Sequence, residues 1–346
     1  MITGLVLQGG GALGAFELGV IEWMLDNRVA PDVVSGVSIG ALNAAVLAGS
    51  KEADPRQGLR ALWAELTTPA WPPPFDGANA QISLFGNAAM YAPRLDYVNL
   101  WRWTSLYETA PLRRTLERHV DFEKLGPQNF ARPAGARAPR LILTATNLVT
   151  GKLDRFDSLE MRLTAEHVAA SGSLPPSFPM TTAPAPDGSP VPYWDGGLFD
   201  NTPLSKVIDA LEESPDPDKT MYVVNLFPSG APLPRNIPEV TTRMMTLAFS
   251  NRTEKDLRRA RQTTEIIKLV EELDRLIPAH PALQPLTRHP GYLAVKELAA
   301  PIRIIDITNT DVTGPADFSP EAIEERRRRG YAAAQASREP HERPHR

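Results

Sequence analysis

The sequence contains no cysteine. Disulfide bonds, thiolate metal sites and a cysteine nucleophile are therefore excluded, and the absence fits a reducing compartment. No stretch approaches the roughly 18 consecutive apolar residues of a membrane-spanning helix. The first residues, MITGLVLQGGG, lack the basic region and the long apolar region of a signal peptide. These absences predict a soluble, cytoplasmic protein.

Neither sign of charge is in large excess, because 37 Lys and Arg stand against 41 Asp and Glu, for a formal net charge of -4. We therefore expect no nucleic acid partner. The sequence also has no calcium-loop pattern and no histidine pair at metal-binding spacing, so we expect no metal and no cofactor.

The 346 residues are 42% hydrophobic, enough for one large domain. Apolar patterning predicts strands at 4–8, 31–38, 140–148, 191–197, 221–227 and 302–308, and helices at 12–29, 39–49, 165–171, 203–213, 239–277 and 320–336. The opening order of strand, helix, strand, helix favours a parallel sheet covered by helices. We predict one α/β domain over 1–310 with an aromatic-rich insertion at about 63–110, and a C-terminal helix with a polar tail over 311–346.

A glycine cluster, LQGGGALG, joins the first predicted strand to the first predicted helix. Gly9, Gly11 and Gly14 match GxGxxG, which in a dinucleotide-binding unit makes room for a pyrophosphate at the helix N-terminus. The same geometry directs free backbone N–H groups at an oxyanion in an acyl hydrolase. The dinucleotide interpretation requires an acidic residue after the second strand. Asp32 precedes that strand instead, which favours the oxyanion interpretation.

A second glycine pattern, GVSIG, places Ser38 between Gly36 and Gly40, at the junction of a predicted strand and a predicted helix. That context is the one in which a nucleophilic serine is held on a strained turn. The alternative is that Ser38 is only the N-cap of the following helix, because serine is a favourable residue there.

A serine hydroxyl requires a base to become a nucleophile. The chain has six histidines, His119, His167, His280, His289, His341 and His345. None lies in a distinctive motif, although His280 or His289 would complete the Ser–Asp–His order of α/β-hydrolases.

Another candidate base is Asp195, which ends a predicted strand and precedes Gly196 and Gly197 in YWDGG. If that strand runs parallel to the strand before Ser38, both turns open at the carboxyl edge of the sheet, where parallel α/β sheets bind ligands. Asp195 would then reach Ser38 directly. The alternative is a turn residue without function, because Asp-Gly is a strong turn signal.

Three blocks together, GGGALG at 9–14, GVSIG at 36–40 and DGG at 195–197, resemble the patatin-like phospholipase family. The stretch AASGSLPPSFPM at 169–180 is also similar to bacterial members. The resemblance implies a three-layer α/β/α fold with a mainly parallel central sheet and a Ser38–Asp195 dyad without a catalytic histidine. It also implies an oxyanion hole formed by Gly9, Gly10 and Gly11. One departure is Leu13, because many members carry Arg or Lys within the glycine block.

The function that follows is a lipid acyl hydrolase acting on a lipid or other acyl ester. A non-lipid esterase or acyltransferase on the same site, and a nucleotide- or lipid-binding module without turnover, are the alternatives. Nine aromatic residues between Trp63 and Tyr107 are expected either to wall an acyl site, with transient membrane-surface contact, or to form ordinary core. RRRR at 326–329 is expected to be the solvated face of a terminal helix. The oligomeric state stays open.

Overall fold

The computed structural model describes residues 1–68, 87–96, 101–133, 137–227, 233–235, 237–296, 301–310, 314 and 316–337. Within these ranges, strands β1 to β10 are Ile2–Leu7, Val33–Gly36, Ala92–Pro93, Tyr107–Glu108, Arg140–Asn147, Leu153–Asp157, Thr181–Pro184, Pro190–Asp195, Lys219–Asn225 and Ile302–Thr308. Helices α1 to α9 are Ala15–Asp26, Ile39–Gly49, Pro55–Leu66, Ala110–His119, Ala165–Ser171, Leu204–Glu212, Ile237–Leu276, Pro290–Lys296 and Pro320–Ser337.

Eight strands form the central sheet, in the order β10-β9-β1-β2-β5-β8-β7, with β6 also paired to β5. The strands from β10 to β5 are mutually parallel, whereas β6, β8 and β7 join through antiparallel pairs. The sheet is therefore mainly parallel, as predicted. The short hairpin of β3 and β4 stands apart from it.

Strands β2 and β8 lie end to end along one flank of β5. Strand β2 pairs with β5 up to Gly36 opposite Leu143, and β8 ends at Asp195 opposite Ala145. Strand β6 pairs with all of Ile142 to Thr146 and so occupies the other flank. Because β8 runs antiparallel to β5, the carboxyl ends of β2 and β8 point toward each other. The condition that β8 runs parallel to β2 is not met, yet the two turns still meet.

Helices cover both faces of the sheet. In β1, Leu5 and Leu7 pack in a large apolar cluster with α1 and α2, whereas Val6 faces a smaller cluster that includes α6 and Leu257 of α7. This alternation follows from the opposite directions of successive side chains in a strand. The predicted three-layer α/β/α sandwich is confirmed.

Helix α3 lies in the irregular stretch after residue 50 and was not predicted. Helix α3 has a readable start, because the Asp54 side chain accepts a hydrogen bond from the Arg56 N–H and Pro55 follows at the first helical position. Of the predicted aromatic stretch, Trp71, Phe75, Phe85 and Tyr97 lie outside the described residues. The division of the chain at residue 310 stays a prediction. No helix in the described ranges has the length and apolar character needed to cross a bilayer.

Candidate active site

Ser38 occupies a strained turn between β2 and α2. Its φ is 55° and its ψ is −123°, a region that residues with a side chain rarely adopt. Ser38 stands at the N-cap position of α2, but its hydroxyl accepts no capping hydrogen bond. Half-buried rather than enclosed, the side chain faces a cavity. A strand-to-helix turn of this kind can present a serine hydroxyl as a nucleophile, and the hydroxyl is not used as a cap.

The glycines on either side of Ser38 allow the close approach that the turn requires. A Cβ added at Gly36 would lie 2.3 Å from the carbonyl oxygen of Gly40, and one added at Gly40 would lie 2.6 Å from that of Leu7. Any larger residue at either position would separate α2 from the sheet. The GVSIG spacing is thus explained by backbone contact on both sides of Ser38.

Asp195 is buried at the end of β8 and lines the same cavity as Ser38, whose side chain acts to lower the pKa of the Asp195 carboxyl. The Gly197 N–H donates to Asp195 Oδ1 at 2.7 Å. Burial raises the pKa of Asp195 to about 7, and the Gly197 N–H and the Ser38 side chain oppose that shift only in part. A Cβ at Gly196 would lie 2.5 Å from the Thr144 carbonyl oxygen, so the turn after Asp195 lies directly against β5.

A single segment after α5 fixes the backbones of both residues. The Ser38 N–H donates to the Ser171 carbonyl at 3.0 Å, and the Asp195 N–H donates to the Ser173 carbonyl at 3.0 Å. These two carbonyls belong to the stretch 169–180 that the sequence marks as similar to bacterial family members. Residues 171–173 therefore set the spacing between the serine and the aspartate.

The glycine block 9–11 faces the same cavity. Gly11 has a φ of 56°, which the turn into the single-turn 3-10 helix Gly11–Gly14 requires. The N–H groups of Gly10 and Gly11 have no acceptor within the described ranges, so they are available to an anionic oxygen. The Gly9 N–H instead donates to the Asn201 carbonyl at 3.3 Å and is not available, contrary to prediction.

Asn201 is a site residue that sequence reasoning missed. Its side-chain amide donates to the Gly9 carbonyl at 2.9 Å, so Asn201 and Gly9 are joined by two hydrogen bonds in opposite directions. Its Oδ1 would lie 2.6 Å from a Cβ at Gly197 and 2.4 Å from one at Gly9. The stretch DGGLFDN, which begins at the last residue of β8, contains Asn201 and could have indicated a further polar site residue. Only the fold shows that this stretch contacts the first glycine block.

A buried polar network supports the glycine block from behind. The Asn43 amide donates to the Gly14 carbonyl at 3.0 Å and to Glu17 at 2.8 Å, and its oxygen accepts the indole N–H of Trp63 at 2.9 Å. Burial raises the pKa of Glu17 well above its ordinary value. A Cβ at Gly14 would lie 2.6 Å from Ile39, the first residue of α2. The glycine block is thus held between α1, α2 and α3.

Ser38 and Asp195 open into a cavity of about 240 Å³. Its walls are mostly apolar, with side chains from six separate parts of the chain: Leu42, Met90, Tyr91, Leu112, Leu174, Phe178, Phe227 and Phe318. Tyr91, Tyr107 and Phe178 form an aromatic cluster with ring centroids 4.8–6.2 Å apart. Trp63, by contrast, is core and stacks on Phe318. The cavity therefore offers an apolar chain a place beside the serine.

None of the described histidines lines this cavity. His280 and His289 are exposed, and His119 contacts Glu65. His167 is buried beside Thr164 and the Pro184 carbonyl. The acidic residue that lines the cavity together with Ser38 is Asp195. Across the described ranges, no cluster of three or more His, Asp or Glu side chains is arranged to hold a metal ion.

The sequence model of the family described as patatin-like phospholipase matches residues 5–208, more than half of the chain and a range that contains Ser38, Asp195 and the glycine block. The chain belongs to the patatin-like phospholipase family.

Two curated relatives match short segments. A patatin-like phospholipase domain-containing protein of Coccidioides immitis is 52% identical over 46 residues, which are 13% of this chain and 6% of that protein. Triacylglycerol lipase SDP1L of Arabidopsis thaliana is 40% identical over 45 residues, again 13% and 6%. The match thus spans a small fraction of the length of either relative.

Two solved structures are similar to this chain. VipD from Legionella pneumophila gives a TM-score of 0.44 at 17% identity, over 97% of this chain and 66% of that chain. Human GIVD cytosolic phospholipase A2 gives a TM-score of 0.38 at 11% identity, over 65% and 45%. Both are remote similarities.

Proposed function

We propose that this protein is a serine hydrolase that cleaves acyl esters of lipids through a Ser38–Asp195 dyad. The observation that carries the proposal is that Ser38, on its strained turn, and the buried Asp195 line the same apolar cavity, where the Ser38 side chain acts directly on the Asp195 carboxyl. Family membership supports the hydrolysis of ester bonds, and the relative named a triacylglycerol lipase supports a lipid substrate.

The reaction begins when Ser38 Oγ attacks the ester carbonyl carbon and its proton passes to the Asp195 carboxylate. The carbonyl oxygen becomes an oxyanion that accepts hydrogen bonds from the N–H groups of Gly10 and Gly11. Collapse of this intermediate breaks the bond to the alcohol, which leaves with the proton from Asp195. Water then attacks the acyl carbonyl carbon and gives its proton to Asp195, the bond to Ser38 Oγ breaks, Ser38 regains the proton from Asp195, and the free acid departs.

The environment of Asp195 suits a general base. Efficient proton transfer requires a pKa close to the working pH, and burial raises the pKa of this carboxyl to about 7. An exposed aspartate, with its ordinary pKa near 3.8, would be a weaker base toward a serine hydroxyl. Burial of Asp195 therefore supplies basicity that other serine hydrolases obtain from histidine.

We also propose that the protein contacts membrane surfaces transiently, beside the cavity. Tyr91 and Thr109 line the cavity, and Leu95, Trp101 and Leu106, which lie between them in the sequence, are exposed. Trp101 is 95% exposed, and an indole ring favours the water–lipid boundary. Trp101→Ala is expected to lower co-sedimentation with neutral phospholipid vesicles and to leave hydrolysis of a soluble short ester unchanged. Equal co-sedimentation of the two proteins would contradict the contact.

The test of function is hydrolysis of p-nitrophenyl esters of increasing acyl length by wild type, Ser38→Ala and Ser189→Ala. Ser189 lies on an exposed turn and is the matched control. We expect turnover and covalent labelling by a fluorophosphonate in wild type and Ser189→Ala, and neither in Ser38→Ala. Turnover by Ser38→Ala would show that Ser38 is not the nucleophile. No turnover and no labelling in wild type would favour a binding module.

A further inference from the structure

Arg326 differs from the other three arginines of the RRRR run. Arg328 and Arg329 are exposed and pair with Glu325 on α9, and Arg327 pairs with Glu324 on α9 and with the buried Glu22 of α1. Arg326 is 1% exposed and lies inside the protein. The prediction of a solvated arginine face is therefore wrong for this one residue. A buried guanidinium requires a specific set of partners, because it stays charged.

The partners of Arg326 belong to two loops of the candidate site. Its guanidinium donates to the carbonyl oxygens of Asp317 at 2.6 Å, Gly314 at 3.1 Å and Ala12 at 3.4 Å. Ala12 lies in the 3-10 turn directly after Gly10 and Gly11. Asp317 lies between Ala316 and Phe318, which both line the cavity. One side chain thus joins the glycine block to a wall of the cavity.

The backbone that carries Arg326 is fixed by direct contact between α9 and α1. A Cβ added at Gly19 would lie 1.9 Å from the Arg327 carbonyl oxygen, and one added at Gly330 would lie 1.9 Å from that of Phe16. No side chain larger than glycine fits at either crossing point. Helix α1 follows directly from the glycine block, so α9 presents Arg326 to that block from a rigid support.

We propose that Arg326 is a positioning residue for the hydrolysis, an inference that rests on the proposed function. By binding the Ala12 carbonyl, Arg326 holds the peptide units of the glycine block so that the Gly10 and Gly11 N–H groups face the cavity. Its fixed positive charge also favours the negative charge that develops on the oxyanion, in surroundings where little water screens it. Both effects act in the transition state more than on bound substrate.

The test compares Arg326→Gln and Arg326→Lys with Arg328→Gln, an exposed control on the same helix. Each variant is assayed for kcat and KM, and kcat is divided by the fraction of Ser38 that a fluorophosphonate titrates. This division removes any loss caused only by unfolded protein.

We expect Arg326→Gln to lower kcat per titrated site about 10- to 100-fold with little change in KM. Arg326→Lys retains the charge but not the planar fork, and we expect a smaller loss, about threefold to tenfold. Arg328→Gln is expected to match wild type.

Wild-type kcat per titrated site in Arg326→Gln, or an equal loss in Arg328→Gln, would overturn the inference while the proposed function stands. If Arg326→Gln does not fold, Arg326→Lys decides, and wild-type kcat in that variant overturns the inference. Wild type that neither turns over an ester nor reacts with the fluorophosphonate refutes the proposed function, and the inference with it.

Discussion

Asn201 and Gly9 bind each other twice, through the Asn201 amide to the Gly9 carbonyl at 2.9 Å and through the Gly9 N–H to the Asn201 carbonyl. These two bonds connect the turn after Asp195 to the start of the glycine block. The next two residues, Gly10 and Gly11, line the cavity, and their N–H groups have no acceptor within the described ranges. The proposed base and the proposed oxyanion donors therefore lie on two segments that hydrogen bonds join directly.

Replacing Asn201 by alanine removes the amide donor and leaves the backbone bond in place. We expect kcat to fall about tenfold, equivalent to about 1.4 kcal/mol of transition-state stabilisation, because the glycine block loses its anchor. Asn27→Ala is the matched control, since the Asn27 amide donates to the Trp23 carbonyl at 2.9 Å outside the site. Both variants are expected to lose some thermal stability, but a loss of kcat in Asn27→Ala as large as in Asn201→Ala would contradict the anchoring role.

The pH dependence of kcat/KM reports the proposed base. Asp195 accepts the serine proton only when it is ionised, so activity is expected to rise with pH and to level off above its pKa of about 7. A histidine base would give a similar curve. The profile is therefore measured also in His280→Ala and His289→Ala, which we expect to keep both the midpoint and the plateau. If either histidine variant loses the plateau, that histidine and not Asp195 is the base.

Asp195→Asn is expected to abolish hydrolysis and to stabilise the fold at alkaline pH. Between the ordinary value of 3.8 and about 7, the folded protein retains a proton that the unfolded chain has released. Wild type therefore loses stability as pH rises through this interval, and the neutral amide removes that loss. Tm of the variant is expected to exceed that of wild type at pH 8 and to match it near pH 4.

Asp187→Asn is the control for that comparison, because the pKa of Asp187 is shifted in the opposite direction to that of Asp195. Hydrogen bonds from Ser189 lower the pKa of Asp187, so its contribution is present at neutral pH and is lost in acid. This variant is expected to gain no stability at pH 8. If Asp195→Asn and Asp187→Asn change Tm equally at pH 8, burial of Asp195 does not control its titration.

Substitutions in the cavity walls are expected to change which acyl-chain length the protein prefers. Leu112→Phe fills space beside Ser38 and is expected to shift the optimum of the ester series to shorter chains. Phe178→Leu opens space in the aromatic cluster and is expected to shift it to longer chains. A change of about tenfold in the ratio of kcat/KM for long and short esters is expected, the usual effect of a methylene in an apolar pocket. Shifts of both variants in the same direction would place the acyl chain elsewhere.

The parts of the site that the sequence predicted are those formed by short, local patterns. Ser38 is recognisable because its flanking glycines and the strand-to-helix junction lie within a few residues of it. Asp195 is recognisable because two glycines follow it at the end of a strand. Helix α5 and strand β10 match their predicted bounds because each has an uninterrupted pattern and a clear end.

The parts that were not predicted depend on contacts between distant segments. The direction of β8 is set by its pairing with β5, and no pattern within β8 distinguishes a parallel from an antiparallel neighbour. The Gly9 N–H appears free until Asn201 is placed beside it. The sequence predicts that Arg326 is one of four surface arginines. Only the packing of α9 against α1 shows that its side chain is buried.

The contact between Arg326 and Ala12 spans 314 residues of sequence. The ribosome supplies the chain from the N-terminus, and a domain folds as a unit. A nascent chain synthesised as far as Asn201 already contains Ser38, Asp195 and the glycine block. It still lacks Phe318 from the cavity wall and Arg326 behind the glycine block. Translation therefore supplies Ser38 and Asp195 early and these surroundings late, so that side of the cavity is complete only when α9 has been made.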